Sequence, residues 1–191
     1  NAPHLLLNAR KGYRYGASTL YDHMALDGLE DAYERGKAMG VFAEQCVGKY
    51  SFAREAMDQF AIASTQRSKA ANEDGSFAWE MAPVTLTSAK GESVINFDEQ
   101  PFKAKLDKIP TLKPAFKKDG AITAATSSSI SDGAAALVLM RRSTAEKRGL
   151  QPLAVIVAHT THAQEPAWFS TAPVGAIEKL YRKTGWTSKD V

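Results

Sequence analysis

The segment that most constrains what this chain can fold into runs from Ile109 to Met140, IPTLKPAFKKDGAITAATSSSISDGAAALVLM. It opens with Pro110, Lys113, Pro114 and Phe116 and turns at Asp119-Gly120. A run of small and hydroxyl residues from Thr123 to Ser131 follows, and an apolar stretch closes the segment after Asp132-Gly133. This pattern predicts loop, turn, small-residue loop and strand, in that order. A long run of Ala and Ser that is neither linker nor helix lies against something that tolerates no side-chain bulk, either another element or an extended ligand. Two readings stand on the residues alone: a tightly packed loop beside a core strand, or the edge of a binding site.

Composition narrows the classes. At 191 residues, 44% hydrophobic and 24% charged, the chain suits one good core or a domain and a half of ordinary globular protein. The net charge of +3 is small, and its basic clusters, Arg10-Lys11-Arg14 and Lys103 to Lys118, do not interleave with aromatics as a single-strand nucleic-acid binder's would. Nucleic acid is therefore not an expected partner, whereas the phosphates of a nucleotide-bearing cofactor suit such clusters. A single cysteine, Cys46, excludes an internal disulfide framework and fits a reducing compartment, so the expected location is cytoplasmic. No apolar run approaches the roughly 18 residues of a membrane span. No signal peptide is visible in NAPHLLLNAR, although a chain without an initial Met leaves its true start open.

Along the chain, Asn1 to Leu20 mixes Leu5-Leu6-Leu7 with Arg10, Lys11, Tyr13, Arg14 and Tyr15 around Gly12 and Gly16, which predicts an excursion rather than a regular element. Exposed Tyr and Arg together suit a protein interface, and a merely exposed loop is the other reading. Leu20 to Tyr50 reads as two helices broken at Gly36 and Gly40, with Leu29, Ala32 and Tyr33 on one face of the first. Cys46 falls within the second, in FAEQCVGKY, with no Gly-rich turn and no neighbouring base; it reads as a small buried hydrophobe, not a nucleophile. Ser51 is the expected N-cap of a long helix, Phe52 to Asn72, with Phe52, Ala56, Phe60 and Ala63 as its apolar face and Met57 and Ile62 on an adjoining stripe. Asp74-Gly75 stops it, and Val84, Leu86, Val94, Ile95 and Phe97 about Lys90-Gly91 predict a β-hairpin.

Asp98 to Lys108 is polar and irregular. Asp132 to Met140 and Leu153 to Ala158 are apolar enough to be buried strands of a sheet covered on both faces. Between them Arg141 to Gly149 reads as a short helix with a Ser143/Glu146 capping box. Pro173 to Gly185 predicts the last helix, with Ile177, Leu180 and Tyr181 inward. His159 and His162 have no third ligand near them, and no metal site is expected. There is no nucleophile elbow, P-loop, GxGxxG or HExxH, so hydrolase, nucleotidase and dehydrogenase readings have no support.

LKPAFKKDGAITAA and SISDGAAALVLM resemble a stretch of the thiolase family in which a loop meets the pantetheine arm of coenzyme A and feeds a core strand. NAPH at Asn1 to His4, Met39-Gly40 with Ala43-Glu44, and EPAWFSTAP from Glu165 to Pro173 occur in family order, so the resemblance covers essentially the whole chain. Acetyl-CoA acetyltransferases are the nearest group. The resemblance implies an α/β, αβαβα-layered fold of which this chain is the central portion. Residues 1–122 would form the inserted α+β loop domain with an oligomerisation segment in 1–20, 123–150 the end of the first core domain, and 151–191 the start of the second.

It also implies the chemistry: two acetyl-CoA condensed to acetoacetyl-CoA, or the reverse thiolysis, with a Cys thiolate taking the acyl group and oxyanion holes holding the charge that develops. The matching Cys motif would precede Asn1, and the Asn-Glu-Ala-Phe, Gly-His-Pro and second Cys motifs would follow Val191, so no catalytic residue is expected within this chain. What the chain would supply is pocket wall for acyl-CoA and CoA: Leu29, Met39, Phe116, Ala124, Ser128, Ile130 and Phe169. Apolar walls with one hydroxyl suit a chain that carries amides. By spacing alone, Leu29, Met39, Phe116 and Phe169 would be core residues. Coenzyme A thioester is expected as substrate, with no separate cofactor, and a homotetramer as the assembly. Ala38 stands where some relatives carry His, and Phe102 where relatives carry an Arg near the adenine nucleotide, a charge that Lys103, Lys105 or Lys108 could replace. Two further readings are a non-catalytic fragment or split subunit that binds coenzyme A, and a longer-chain 3-ketoacyl-CoA thiolase.

Overall fold

A computed structural model describes residues 2–191. The chain divides into two compact units, 1–128 and 129–191.

In the first unit a short antiparallel pair, β1 (His4–Leu5) and β2 (Tyr21–Asp22), ties the ends of the segment between them, with His4 opposite Asp22. The intervening residues form the expected excursion, broken only by a 3-10 turn at Ala9–Lys11, and Tyr15 is fully exposed. A π-helical turn, Met24–Leu29, follows. The longer helix expected here does not form: Glu30 is extended and bridges Ala38, so Ala32 and Tyr33 leave the axis and Tyr33 is exposed. The Asp31 carboxylate accepts from the Tyr33 and Glu34 amides, offering the backbone a turn in place of the helix.

Helix α1 (Met39–Tyr50) carries Cys46 half-buried, and Phe42 is its buried anchor, covered by the Lys37 ammonium 4.4 Å from the ring centroid. Ser51, the expected cap of the next helix, instead closes α1 in the left-handed region at φ 53°. Helix α2 (Arg54–Glu73) therefore begins later, after Ala53. Its inward face is also displaced: Asp58 and Ala61 are buried, whereas Phe52 and Phe60 are 53% and 75% exposed. The partner explains the shift, because α2 packs on a 3-10 segment, Leu106–Thr111, at whose end the Leu112 carbonyl needs a donor.

Arg54 meets that need, donating from Nη2 to the carbonyls of Ile109 (3.3 Å) and Leu112 (2.9 Å) and from Nε to Asp58 (2.8 Å). The i, i+4 spacing of Arg54 and Asp58 puts both on the face that the Phe pattern did not mark. Gly75, at φ 79°, lies beyond the end of α2, where a side chain would be strained. The hairpin is as expected, β3 (Val84–Ser88) with β4 (Gly91–Ile95) in the register Val84 to Ile95. The stretch expected to be irregular contains one helical turn, α3 (Gln100–Lys103), as well as the 3-10 segment.

In the second unit the two expected strands are absent. Asp132 to Met140 and Leu153 to Ala158 form no ladder with any described segment, and Leu137, Val138 and Leu153 are 84–87% exposed. Apolarity states a preference for burial, but a strand also requires a neighbour to hydrogen-bond, and no described segment supplies one. Helix α4 (Arg142–Lys147) is capped at Arg141 without a side-chain bond; Ser143 lies inside it, and Arg142 pairs with Glu146 at 3.0 Å in place of the capping box. Helix α5 (Ala172–Thr184) follows a 3-10 turn, Pro166–Thr171, and ends at Gly185, φ 75°. Leu180 and Tyr181 are half-buried as expected, but Ile177 is exposed. The contact face instead runs through Gly175 and Ala176, where Thr160 donates to the Ala176 carbonyl at 2.8 Å. No described helix is long and apolar enough to cross a membrane.

Candidate functional site

Helix α1 builds the site by gripping a loop at two points one turn apart. Gly40 and Glu44 are spaced i, i+4 and so share a face. The Phe116 ring lies so close to Gly40 that a Cβ there would sit 2.2 Å from ring carbon Cδ2. Four residues on, the Glu44 carboxylate takes the loop's far side: Oε1 accepts from the Ala121 amide at 2.9 Å and the Ile122 amide at 2.8 Å, and Oε2 from Ala121 at 3.0 Å. Gly120 makes room for it, since a Cβ there would fall 2.2 Å from Oε1. The loop closes on itself where the Ala115 amide donates to the Ile122 carbonyl at 2.8 Å and the Gly120 amide to the Lys117 carbonyl at 3.0 Å. Carboxylate bonds to amides are charge-assisted and about twice as strong as neutral ones.

Beyond the anchor the small-residue run is held by its hydroxyls. Thr123 is fully buried; its amide donates to Thr126 Oγ1 at 2.9 Å, and Ser127 Oγ donates to the Thr123 carbonyl at 2.8 Å. A small, hydroxyl-rich run thus forms a fixed turn because its side chains supply the bonds that a helix or ladder would otherwise provide.

The predicted contact residues divide accordingly. Met39 heads α1 beside Gly40, and the Glu30–Ala38 bridge sets Leu29 and Met39 on either side of one antiparallel pair. Leu29 and Met39 adjoin that bridge and Phe116 lies on Gly40, and each of the three is about two-fifths exposed, so none is a fully buried core residue. Ala124 is exposed on the hydroxyl-held turn, and Ser128 is exposed at the end of the first unit. Ile130, 72% exposed, and Phe169, 41% exposed, belong to the second unit. An open cavity of about 400 Å³, lined by Leu20, Tyr21, Asp22, Leu26, Glu30 and Gly36 among others, adjoins the bridge, and none of the seven residues lines it.

Of the lysines suggested as substitutes for a missing Arg, Lys103 pairs with Glu99 at 3.0 Å and Lys108 with Asp107 at 3.5 Å, both well exposed. Phe102 packs edge-on against Phe97 with centroids 5.6 Å apart. Arg54 carries no sign in the sequence, whereas Gly120 enters only as a turn residue and Glu44 only within a motif of the resemblance. The available sign is the Gly40/Glu44 interval on a helix, but its meaning depends on a loop about 77 residues away.

Residues 1–143 match the family described as thiolase, N-terminal domain. An acetyl-CoA acetyltransferase of Chromobacterium violaceum is 42% identical over 193 residues, covering all of this chain and 49% of that protein. Acetyl-CoA acetyltransferase 2 of Arabidopsis thaliana is 42% identical, again over all of this chain and 48% of its own length. Among solved structures, the acetyl-CoA acetyltransferase of Bacillus anthracis superposes with a TM-score of 0.90 at 35% identity, over 99% of this chain and 48% of its own. A thiolase of Ascaris suum in complex with coenzyme A does so with a TM-score of 0.88 at 35% identity, over 100% and 48%. The chain spans about half the length of the curated relatives it matches. On these likenesses the fold is the corresponding part of the α/β thiolase fold, and the chain belongs to the thiolase family.

Proposed function

We propose that the protein to which this sequence belongs is an acyl-CoA C-acyltransferase that condenses two acetyl-CoA to acetoacetyl-CoA or runs the reverse thiolysis. In this reading the chain supplies wall for the coenzyme A and acyl pocket. The observation that supports the proposal is the Phe116 ring seated on Gly40, next to Met39, on a loop that Glu44 ties to α1 and that leads into a turn of small residues held by its own hydroxyls. Half-exposed apolar side chains on a rigid scaffold exclude water from a flexible arm, and Ser128 can exchange a hydrogen bond with an amide of that arm. Ala124 leaves room for the arm to pass. Ile130 and Phe169 enter the proposal through the resemblance alone.

The likeness to the Ascaris suum thiolase solved in complex with coenzyme A supports the ligand class. Assembly into a homotetramer through residues 1–20, a cytoplasmic location and a role in fatty acid metabolism belong to the same proposal. The exposed Tyr13 and Tyr15 of that segment suit an interface. Acyl transfer itself is not assigned to any residue of this chain: Cys46 lies half-buried along α1, as a packing residue does.

Replacing Phe116 or Ser128 by Glu tests the pocket. A carboxylate in an apolar wall facing a ligand must be desolvated without a partner, so the KM for acetoacetyl-CoA is expected to rise about tenfold or more. An unchanged KM in both variants, in a folded enzyme, refutes the assignment.

A further inference from the structure

The strongest unassigned feature in the first unit is the Glu44 carboxylate. It spends both oxygens on backbone amides of a loop far away in sequence, and it does so from the same helix face that carries Gly40 against Phe116. We infer that Glu44 is a positioning residue for ligand binding: by holding Ala121 and Ile122 it fixes both ends of the loop that presents Phe116 and leads into Ala124 and Ser128. This inference rests on the pocket reading above.

The geometry separates this role from ordinary packing. Glu44 is half-buried, and its two partners are the amides directly before Thr123, a fully buried residue. The Ala115 amide bonds back to the Ile122 carbonyl, so Ile122 is held through both its N–H and its C=O. Without the carboxylate, the Ala121 and Ile122 amides lose their acceptor and are free to seek water, and the loop can pivot about the single Ala115–Ile122 bond. Phe116 and Ala124 lie on either side of that pivot. The expected consequence falls on the affinity of a ligand laid along the loop rather than on the chemical step, because the loop contributes uniform binding.

The test compares Glu44→Ala and Glu44→Gln in the full-length enzyme. Glu44→Gln keeps Oε1, which accepts from both amides, and turns Oε2 into a donor facing Ala121. The expected result is that Glu44→Ala raises the KM for acetoacetyl-CoA and for coenzyme A about tenfold with kcat within about twofold, while Glu44→Gln recovers most of the loss. Hydrogen exchange gives a second readout that survives a failure of the Ala variant to fold. In Glu44→Gln the Ala121 and Ile122 amides should exchange faster than in the parent, and saturating coenzyme A should slow them again. A KM unchanged in Glu44→Ala, or exchange at those amides unchanged in Glu44→Gln and insensitive to coenzyme A, overturns the inference. A kcat loss in place of a KM rise overturns it as well. If the Glu substitutions at Phe116 and Ser128 also leave KM unchanged, the pocket reading has failed; if they raise it and Glu44→Ala does not, only the positioning role has failed.

Discussion

Replacing Gly40 by Ala probes how closely α1 and the Phe116 loop are fitted. The added methyl would stand 2.2 Å from Phe116 Cδ2 and Cγ and 2.4 Å from Cδ1. Carbon atoms settle at about 3.5 Å or more, so the ring must retreat by about 1.3 Å. Both loop ends resist that retreat, since Ala115 is bonded to Ile122 and Ile122 to Glu44. Overpacking of this kind costs about 1–3 kcal/mol, while Gly to Ala in a helix returns up to about 1 kcal/mol. The net expectation is a loss of about 1–2 kcal/mol, read as a lower urea midpoint at unchanged m-value.

The decisive measurement is the double-mutant cycle with Phe116→Ala. Without the ring, the methyl meets no obstacle, so Gly40→Ala should become neutral or stabilising, with a coupling of about 1–3 kcal/mol between the two sites. Full stability of Gly40→Ala, or the same loss with and without the Phe116 ring, would refute the contact as the cause.

Two further outcomes follow from the fold. Arg54→Ala leaves the Asp58 carboxylate, only 5% exposed, without its cation, takes the side-chain donor from the Leu112 carbonyl and leaves the Ile109 carbonyl with the Leu112 amide alone, and it should cost about 3 kcal/mol in urea unfolding, with Arg54→Lys intermediate because an ammonium lacks the guanidinium fork; equal behaviour of the Lys variant and the parent would show that the fork is unused. In the Thr187–Asp190 capping box the Thr187 backbone amide first, and its hydroxyl second, hold the Asp190 carboxyl below its ordinary value, so the turn's stabilisation is present above the ordinary aspartate pKa and is lost as pH falls through the depressed one. An NMR titration should show the Asp190 midpoint below that of a model peptide and moving part of the way back up in Thr187→Val, and an unmoved midpoint would exclude the hydroxyl.

How far the sequence could be read varies by element. The end of α2 near Gly75, the hairpin about Lys90-Gly91 and the turn at Asp119-Gly120 follow from local chemistry, because a positive φ or a two-residue turn is satisfied by the residues on the spot. The inward face of α2 does not. Phe52, Ala56, Phe60 and Ala63 form a convincing apolar stripe, yet the helix turns Arg54, Asp58 and Ala61 inward, because what it meets there includes the carbonyls of Ile109 and Leu112. The apolar stretches 132–140 and 153–158 fail as strands for the complementary reason: pairing is a property of two segments, and one segment's composition cannot supply the other.

The sequence by itself determined the family, through motifs kept in order along the chain, and with it the expectation that Met39-Gly40 and the Phe116 loop matter. It also determined the turn from Thr123 to Ser127, since the hydroxyls of that run bond its own backbone. Only the tertiary structure decided why those pieces belong together. Gly40 is small because Phe116 lies over it, Gly120 is small because Glu44 reaches past it, and Glu44 is acidic because two amides point at it. Each of those reasons sits on the far side of a contact, and a contact between residues more than seventy positions apart is set by the folded chain, not by any local pattern.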